Sequence, residues 1–345
     1  MAVLALLGAL LLLLAGARPR SVTQEDVDRL LRDLEDSYRT QLEKDRHNSP
    51  DFRNALSASN DEGLRVPAGE LESPFDRLAE ELEDADSEVS AGLYEGDIAG
   101  APFQLSQFRV ALNPDEFPTR RWDTGVVPYV ISPKYKMKEK LFIEDAIRIL
   151  NFMTCIKFVP WDGEAKDYLV IWPVKKPAGC WSFIGKLGGA QIVSLQPPDK
   201  RSKRCFVAIG KPVHEIIHAL GFFHEQSRFD RDQHVFIIKK NIIPRFLNNF
   251  EKHAAVNTTI EYAYDHTSVM HYGAKFFSID RRSPTMVPLR NNTIIGQRNG
   301  MSVLDCFKVN SYYGCLNRSP YERLKYSSIC QLMGVRNNEA SFNGF

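Results

Sequence analysis

Apolar residues recur at two different spacings in two parts of the chain. Residues 23–43 repeat an apolar side chain every three or four positions among many acidic ones, which predicts an amphipathic helix. Beyond residue 110, longer amphipathic segments predict helices at residues 140–152 and 213–220. Short apolar runs predict strands or extended segments at residues 126–131, 156–159, 168–172, 181–185 and 190–195. Strands first and helices later predict an α+β domain with a mixed sheet.

The first seventeen residues are almost entirely apolar and end in the small-residue triplet Ala15-Gly16-Ala17. This pattern predicts a secretory signal peptide at residues 1–17, with cleavage after Ala17. The alternative is a signal anchor that stays in the bilayer. The apolar run is shorter than the roughly 20 residues that a membrane span needs, so no stable membrane anchor is expected.

The distribution of charge divides the remaining chain into an acidic part and a basic part. Residues 21–100 contain 22 acidic and 8 basic side chains, although the net charge of the whole chain is only +1. We interpret residues 18–109 as an acidic propeptide with a helix, an extended linker at residues 45–75 and a second helix at residues 76–88. The alternative is a solvated acidic arm. The composition otherwise is typical of a globular protein, and no nucleic-acid partner is expected.

All six cysteines lie in the basic part of the chain, beyond residue 150. An even number behind a signal peptide favours disulfides formed in the secretory pathway. A zinc–thiolate cluster is the alternative, but the chain has no C-x-x-C pair. Asn257, Asn291 and Asn317 begin N-x-[ST] sequons, which also suit a secreted glycoprotein.

One segment carries most of the chemical information. His214 and His218 are four residues apart and therefore share one face of a helix, where two imidazoles can bind one metal ion. Gly221 can end the helix and turn the chain so that His224 becomes a third ligand. Three imidazoles suit one zinc ion with an open position for water, and Glu215 lies where it can act as the general base on that zinc-activated water. The extended spacing H-E-x-x-H-x-x-G-x-x-H is much more specific than its first half alone.

The chain resembles the astacin family of metzincin metalloproteases. The third histidine is followed by Glu225-Gln226-Ser227-Arg228, and a second segment, Ser268-Val269-Met270-His271-Tyr272-Gly273, resembles the Met-turn of that family. Further matches run from about residue 122 to residue 315. The resemblance implies a two-lobed α+β catalytic domain with a mixed sheet and a long zinc-binding helix, preceded by a helical and extended propeptide.

The same resemblance implies roles for further residues. Met270 would lie beneath the zinc, and Tyr272 would be an additional zinc ligand that swings away to stabilise the oxyanion of the reaction. Substrate would pair with an edge strand at residues 181–183. The implied substrate-binding residues are Trp181, Ser182 and Phe183, and the implied disulfides are Cys155–Cys315 and Cys180–Cys205. Cys306 and Cys330 depart from the usual four cysteines of the family and are left to pair with each other. Near the pocket for the residue that follows the scissile bond, several relatives carry a basic residue where this chain has Ala274, with Lys275 adjacent. The resemblance therefore leaves open whether this chain shares the preference of many relatives for an acidic residue at that position.

The segment Tyr94-Glu95-Gly96-Asp97-Ile98 resembles the propeptide motif of the family, in which an aspartate occupies the zinc position needed by the catalytic water. Asp97 is therefore expected to ligate the zinc in the zymogen, and Glu95 is expected to take no part in this lock. An activating protease is expected to cleave near Arg109. The freed N-terminus would then be held near Glu225.

These patterns predict a secreted zinc-dependent endopeptidase that acts on proteins or peptides and is made as a zymogen with one zinc ion per chain. Its catalytic domain is expected at residues 110–316, with a short C-terminal tail at residues 317–345. One alternative is a catalytically silent protease homologue that acts as a binding protein. Another is a zinc hydrolase of a different kind, such as an amidase.

Overall fold

The computed structural model describes residues 23, 25, 29, 87–89, 93–100, 118–175, 177–200, 204–253 and 262–336. The predicted signal peptide at residues 1–17, the linker at residues 45–75 and the cleavage region around Arg109 lie outside the described residues. Among the residues described, no helix has both the length and the apolar character needed to cross a membrane.

The main element of the fold is a mixed six-stranded sheet. Its strands are β1 (Ile98–Ala99), β2 (Val126–Ile131), β3 (Lys157–Pro160), β4 (Tyr168–Trp172), β5 (Cys180–Phe183) and β6 (Ala190–Leu195), in the order β1-β5-β6-β4-β2-β3. Strand β5 pairs antiparallel with β6, and all other neighbours are parallel. The predicted α+β class with a mixed sheet is confirmed, and the strand bounds differ from the predicted ones by two residues at most.

Within the described part of residues 118–336, four α-helices accompany the sheet: α1 (Met137–Met153), α2 (Gly210–Ala219), α3 (Val303–Tyr312) and α4 (Pro320–Met333). Helix α1 buries Ile143, Ile147 and Leu150, which follow one another at helical spacing, in the same core as Leu169 and Ile171 of β4. Both predicted helices begin three residues earlier than expected. Helix α2 does so because Pro212 lies in its first turn, where proline costs no hydrogen bond.

A second, smaller core forms below the first. Strands β7 (Val235–Ile237) and β8 (Met286–Pro288) pair antiparallel, and the cluster contains Phe246, Phe277 and Tyr272. Met270 belongs to the first core, only two residues before Tyr272 in the second. The Met-turn segment therefore joins the two lobes.

Three disulfides link parts of this fold, and all three pairs expected from the sequence are confirmed. They are Cys155–Cys315, Cys180–Cys205 and Cys306–Cys330. The last of them attaches helix α4 to helix α3, so the segment expected as a short tail contains a 14-residue helix that is fixed to the domain.

Candidate metal centre

Helix α2 and the turn that follows it bring three imidazoles together. All ten residues of α2 are buried, and His214 and His218 project from it one turn apart. Gly221 has φ +109°, a conformation that L side chains rarely adopt, and its N–H donates to the His218 carbonyl at 2.8 Å. This turn returns the chain to the helix, so that the His224 ring centroid lies 4.8 Å from that of His218.

Each imidazole is oriented by a hydrogen bond from its Nδ1 atom. His214 Nδ1 donates to the Val269 carbonyl at 2.8 Å, and His218 Nδ1 donates to the Phe222 carbonyl at 2.7 Å. His224 Nδ1 lies 2.7 Å from Oε2 of Glu95. Because these acceptors place the proton of each neutral imidazole on Nδ1, the three Nε2 atoms are left to bind either a proton or a metal ion.

The Nε2 atoms face one another. His214 Nε2 is 3.0 Å from His218 Nε2 and 3.3 Å from His224 Nε2. Lone pairs at this distance repel unless a cation lies between them. Zinc–nitrogen bonds of about 2.0–2.1 Å in a tetrahedron place the nitrogens roughly 3.3 Å apart, so the three imidazoles fit one zinc ion.

Asp97 of the prosegment completes the cluster. Its carboxylate oxygens lie 3.1 Å from His214 Nε2, 3.2 Å from His224 Nε2 and 3.6 Å from His218 Nε2. These four residues are fully buried and form a group able to hold one metal ion. Burial raises the pKa of Asp97, but the charge on His224 and hydrogen bonds from the imidazoles hold this pKa well below its usual range.

Burial lowers the pKa of His224, but Asp97 and then Glu95 outweigh it and raise the pKa to about 9. Burial and the neighbouring His218 instead lower the pKa of His214 to about 4. The negative charges of Asp97 and Glu95, which raise the pKa of His224, also favour a divalent cation at the Nε2 atoms.

Glu215 is the exception among the buried acids of this site. Its side chain is fully buried, and neither carboxylate oxygen accepts a hydrogen bond from the described part of the chain. Burial raises the pKa of Glu215 well above its usual value, and the charges of Asp97 and Glu88 raise it further. A buried carboxyl group without a partner is costly to the fold, and such groups are concentrated at functional sites.

The prosegment also occupies the edge of the sheet. Strand β1 pairs parallel with β5, with Ile98 opposite Ser182 and Ala99 opposite Phe183. The Ser182 N–H donates to the Asp97 carbonyl at 2.9 Å. The edge at which substrate pairing is expected is therefore covered by the same segment that contributes Asp97.

Ser87 and Glu88 attach the prosegment to the domain at a second place, which the sequence did not predict. Ser87 and Glu88 were expected at the end of a helix, but they lie in a turn. The Ser87 carbonyl accepts a hydrogen bond from the Cys180 N–H at 2.6 Å, and the Glu88 carboxylate lies 2.8 Å from Arg298 Nη2 and 3.8 Å from Lys211 Nζ. These tertiary contacts override the local helical pattern. Burial raises the pKa of Glu88, but Arg298 and then Lys211 lower it to about 2.

Glu95 was expected to be uninvolved, and the structure gives it many partners instead. It is 1% exposed, and its carboxylate contacts His224, Ser227 and His253. Burial raises the pKa of Glu95, but His253 and His224 lower it to about 2. The only sequence signal for this role was its position two residues before Asp97 in one short motif.

Tyr272 is close to the cluster but is bonded to the prosegment. Its ring centroid lies 4.7 Å from that of His224, and its hydroxyl donates to the Glu95 carbonyl at 2.5 Å. The Tyr272 N–H donates to Oε1 of Gln226 at 2.9 Å, which fixes the turn next to the third histidine.

The Met-turn and Glu225 support the metal centre through hydrogen bonds and ion pairs. The Met270 carbonyl accepts the Glu225 N–H at 3.0 Å, and Asp305 accepts the Val269 N–H at 2.7 Å. The buried Glu225 carboxylate is paired with Lys308 Nζ at 2.7 Å and with Arg228 Nη1 at 3.1 Å. Asp305 holds the loop whose Val269 carbonyl orients His214, a role that no spacing pattern in the sequence indicated.

Comparison with known proteins agrees with this geometry. A family model described as Astacin, a peptidase family, matches residues 115–314. The chain is 36% identical over 251 residues to zinc metalloproteinase nas-15 of Caenorhabditis elegans, covering 68% of this chain and 42% of that protein. It is 37% identical over 273 residues to low choriolytic enzyme of Oryzias latipes, covering 75% of this chain and 95% of that protein.

Among solved structures, high choriolytic enzyme 1, a hatching enzyme zinc-protease from Oryzias latipes, matches with a TM-score of 0.50 and 37% identity. The match covers 63% of this chain and 99% of that one. A mixed sheet and a buried three-histidine centre able to hold one metal ion accompany this likeness. The chain belongs to the astacin family of peptidases. It spans only 42% of nas-15 and 44% of embryonic protein UVS.2 from Xenopus laevis.

Proposed function

We propose that this chain is the precursor of a secreted zinc endopeptidase, held inactive by its acidic prosegment. The observation that carries the proposal is the unpartnered, buried Glu215 carboxylate beside the cluster of three histidines. A silent homologue would have no use for this costly arrangement.

His214, His218 and His224 would hold the zinc ion. When bound, zinc supplies a Lewis acid that polarises a peptide carbonyl and lowers the pKa of water towards about 7. Glu215 takes the proton of the attacking water and passes it to the leaving amine. Once the prosegment has left, the Tyr272 hydroxyl loses the Glu95 carbonyl as its acceptor. It can then join the metal's ligands or donate to the oxyanion of the reaction.

The edge of the sheet along β5, uncovered once β1 has left, would bind the substrate. Strand β5, with Trp181, Ser182 and Phe183, pairs with the prosegment through main-chain hydrogen bonds. A protein or peptide substrate can use the same main-chain groups once β1 has left, because such pairing needs an extended backbone rather than a particular side chain. This mode favours cleavage of internal peptide bonds.

We expect the activated protein to cleave a proteome-derived peptide library at internal bonds, with one zinc ion bound per chain. Mass spectrometry of the new N-termini checks the cleavage sites, and metal analysis of the same sample checks the stoichiometry. A sample stripped of metal by a chelator is the control and should cleave nothing. Trimming of terminal residues alone would contradict the endopeptidase proposal and favour another kind of hydrolase.

Activation is proposed to require cleavage near Arg109, so that residues 18–109 leave and residues 110–316 act as the catalytic domain. The freed ammonium group is expected to lie near Glu225, whose buried carboxylate already needs cationic partners and has Lys308 as one of them. N-terminal sequencing of the active form should place its first residue within a few positions of Arg109. An active form that begins before Asp97 would refute this boundary.

The predicted signal peptide and the three disulfides support secretion into an oxidising compartment. Asn291 and Asn317 are exposed and accessible to glycosylation.

A further inference from the structure

The three histidines differ in the origin of the group that orients them. The acceptors for His214 and His218 are main-chain carbonyls of Val269 and Phe222, which stay in place when the prosegment leaves. The acceptor for His224 is a side-chain carboxylate of the prosegment, Glu95. Only His224 therefore loses its orienting group on activation.

Glu95 is held firmly in the position that this contact requires. Its Oε1 accepts the Ser227 hydroxyl at 2.7 Å and lies 3.0 Å from His253 Nε2. Its N–H donates to Oδ1 of Asn249 at 3.1 Å, and its carbonyl accepts the Tyr272 hydroxyl. The backbone has φ +46°, a strained value for glutamate that persists only where surrounding contacts determine it.

A carboxylate behind a metal-ligating histidine fixes the orientation of the ring and makes its other nitrogen a stronger ligand. Removing such a partner typically weakens metal binding by about 10–100-fold. The same prosegment turn also supplies Asp97, which gives the cluster a fourth donor and so closes the open position of a three-histidine site. Both effects act on the metal only while the prosegment is docked.

We propose that Glu95 is a positioning residue for His224, through which the prosegment makes the uncleaved chain hold zinc more tightly than the mature enzyme does. The precursor is then the form that acquires and retains the metal. This inference requires the metal site but not proteolytic activity, so it can fail or hold independently of the proposed function.

The test is a chelator-competition titration of zinc on the full uncleaved chain. Glu95→Ala should weaken zinc binding by about 10–100-fold, and Glu95→Gln should weaken it less because the amide oxygen can still accept from Nδ1. Glu88→Ala is the matched control: it removes another buried prosegment carboxylate, but one bound to Arg298 rather than to a histidine. Glu88→Ala should weaken zinc binding by about threefold or less. Equal losses for Glu95→Ala and Glu88→Ala would overturn the proposal.

A second pair of variants separates ring orientation from simple release of the prosegment. If Glu95→Ala acted only by releasing Asp97 from the metal, it would have no further effect in a chain that already carries Asp97→Ala. The proposal expects the loss caused by Glu95→Ala to persist in that background. If Glu95→Ala causes no further loss of zinc affinity in the Asp97→Ala chain, Glu95 only attaches the prosegment to the domain. Glu95→Gln keeps the shape of the side chain and provides the measurement if Glu95→Ala fails to fold.

Discussion

Glu215→Gln in the activated protein is expected to reduce the rate of peptide hydrolysis by at least about 10²–10⁴-fold, the usual contribution of a general base, while the zinc content stays unchanged. The Glu215 carboxylate is not a member of the four-residue cluster, so its replacement leaves the metal donors intact. The measurements are the cleavage rate of an internally quenched peptide and the zinc content of the same sample.

His218→Ala is the companion variant, since it removes a metal donor and should lose both zinc and activity. Glu215→Gln should also unfold at the same or a higher temperature than the parent protein, because it replaces an unpartnered buried carboxyl group with a neutral amide. Full activity of Glu215→Gln would exclude the general-base role.

Asp97→Ala in the uncleaved chain is expected to give hydrolysis without processing, from a precursor that otherwise shows none. The substitution removes the carboxylate that lies 3.1–3.6 Å from the three Nε2 atoms. The activity should remain below that of the mature enzyme because β1 still covers the edge of β5. A quenched-peptide assay with a gel that verifies an intact chain provides the measurement.

Glu88→Gln serves as the control, because it loosens the prosegment without touching the histidines. Inhibition of the precursor by Asp97 should also persist at moderate salt, because the cluster is fully buried. Attraction between exposed charges, in contrast, is screened beyond about 8 Å at physiological ionic strength. If Asp97→Ala remains as inactive as the parent precursor, steric coverage of the cleft is the better explanation of latency.

Much of the centre could be predicted from the sequence because it depends on local geometry. The spacing of His214 and His218 follows from the helical repeat, and Gly221 supplies the turn that brings His224 back. The ion pair between Glu88 and Arg298 could not be predicted in this way. Its partners are 210 residues apart, and only the folded chain determines that they meet.

Local patterns also failed where tertiary contacts dominate. Ser87 and Glu88 continue an acidic helical pattern, yet the Cys180 N–H and the Arg298 guanidinium hold them in a turn. The same reason explains Glu95, whose five partners named above come from three separate segments of the chain. In the sequence, the charge of Glu95 does not distinguish it from the other acidic residues of the prosegment.

The disulfide between Cys155 and Cys315, 160 residues apart, encloses all three histidines of the candidate metal centre and the Met-turn within one covalent ring. A single break in the backbone anywhere inside that ring leaves one molecule of almost unchanged mass. Damage by self-digestion in a surface loop would therefore escape detection on a non-reducing gel, and two fragments would separate only after the cystines are reduced. The ring also prevents the histidines from drifting apart after such a cut, so that a nicked enzyme keeps its metal donors tethered to one another.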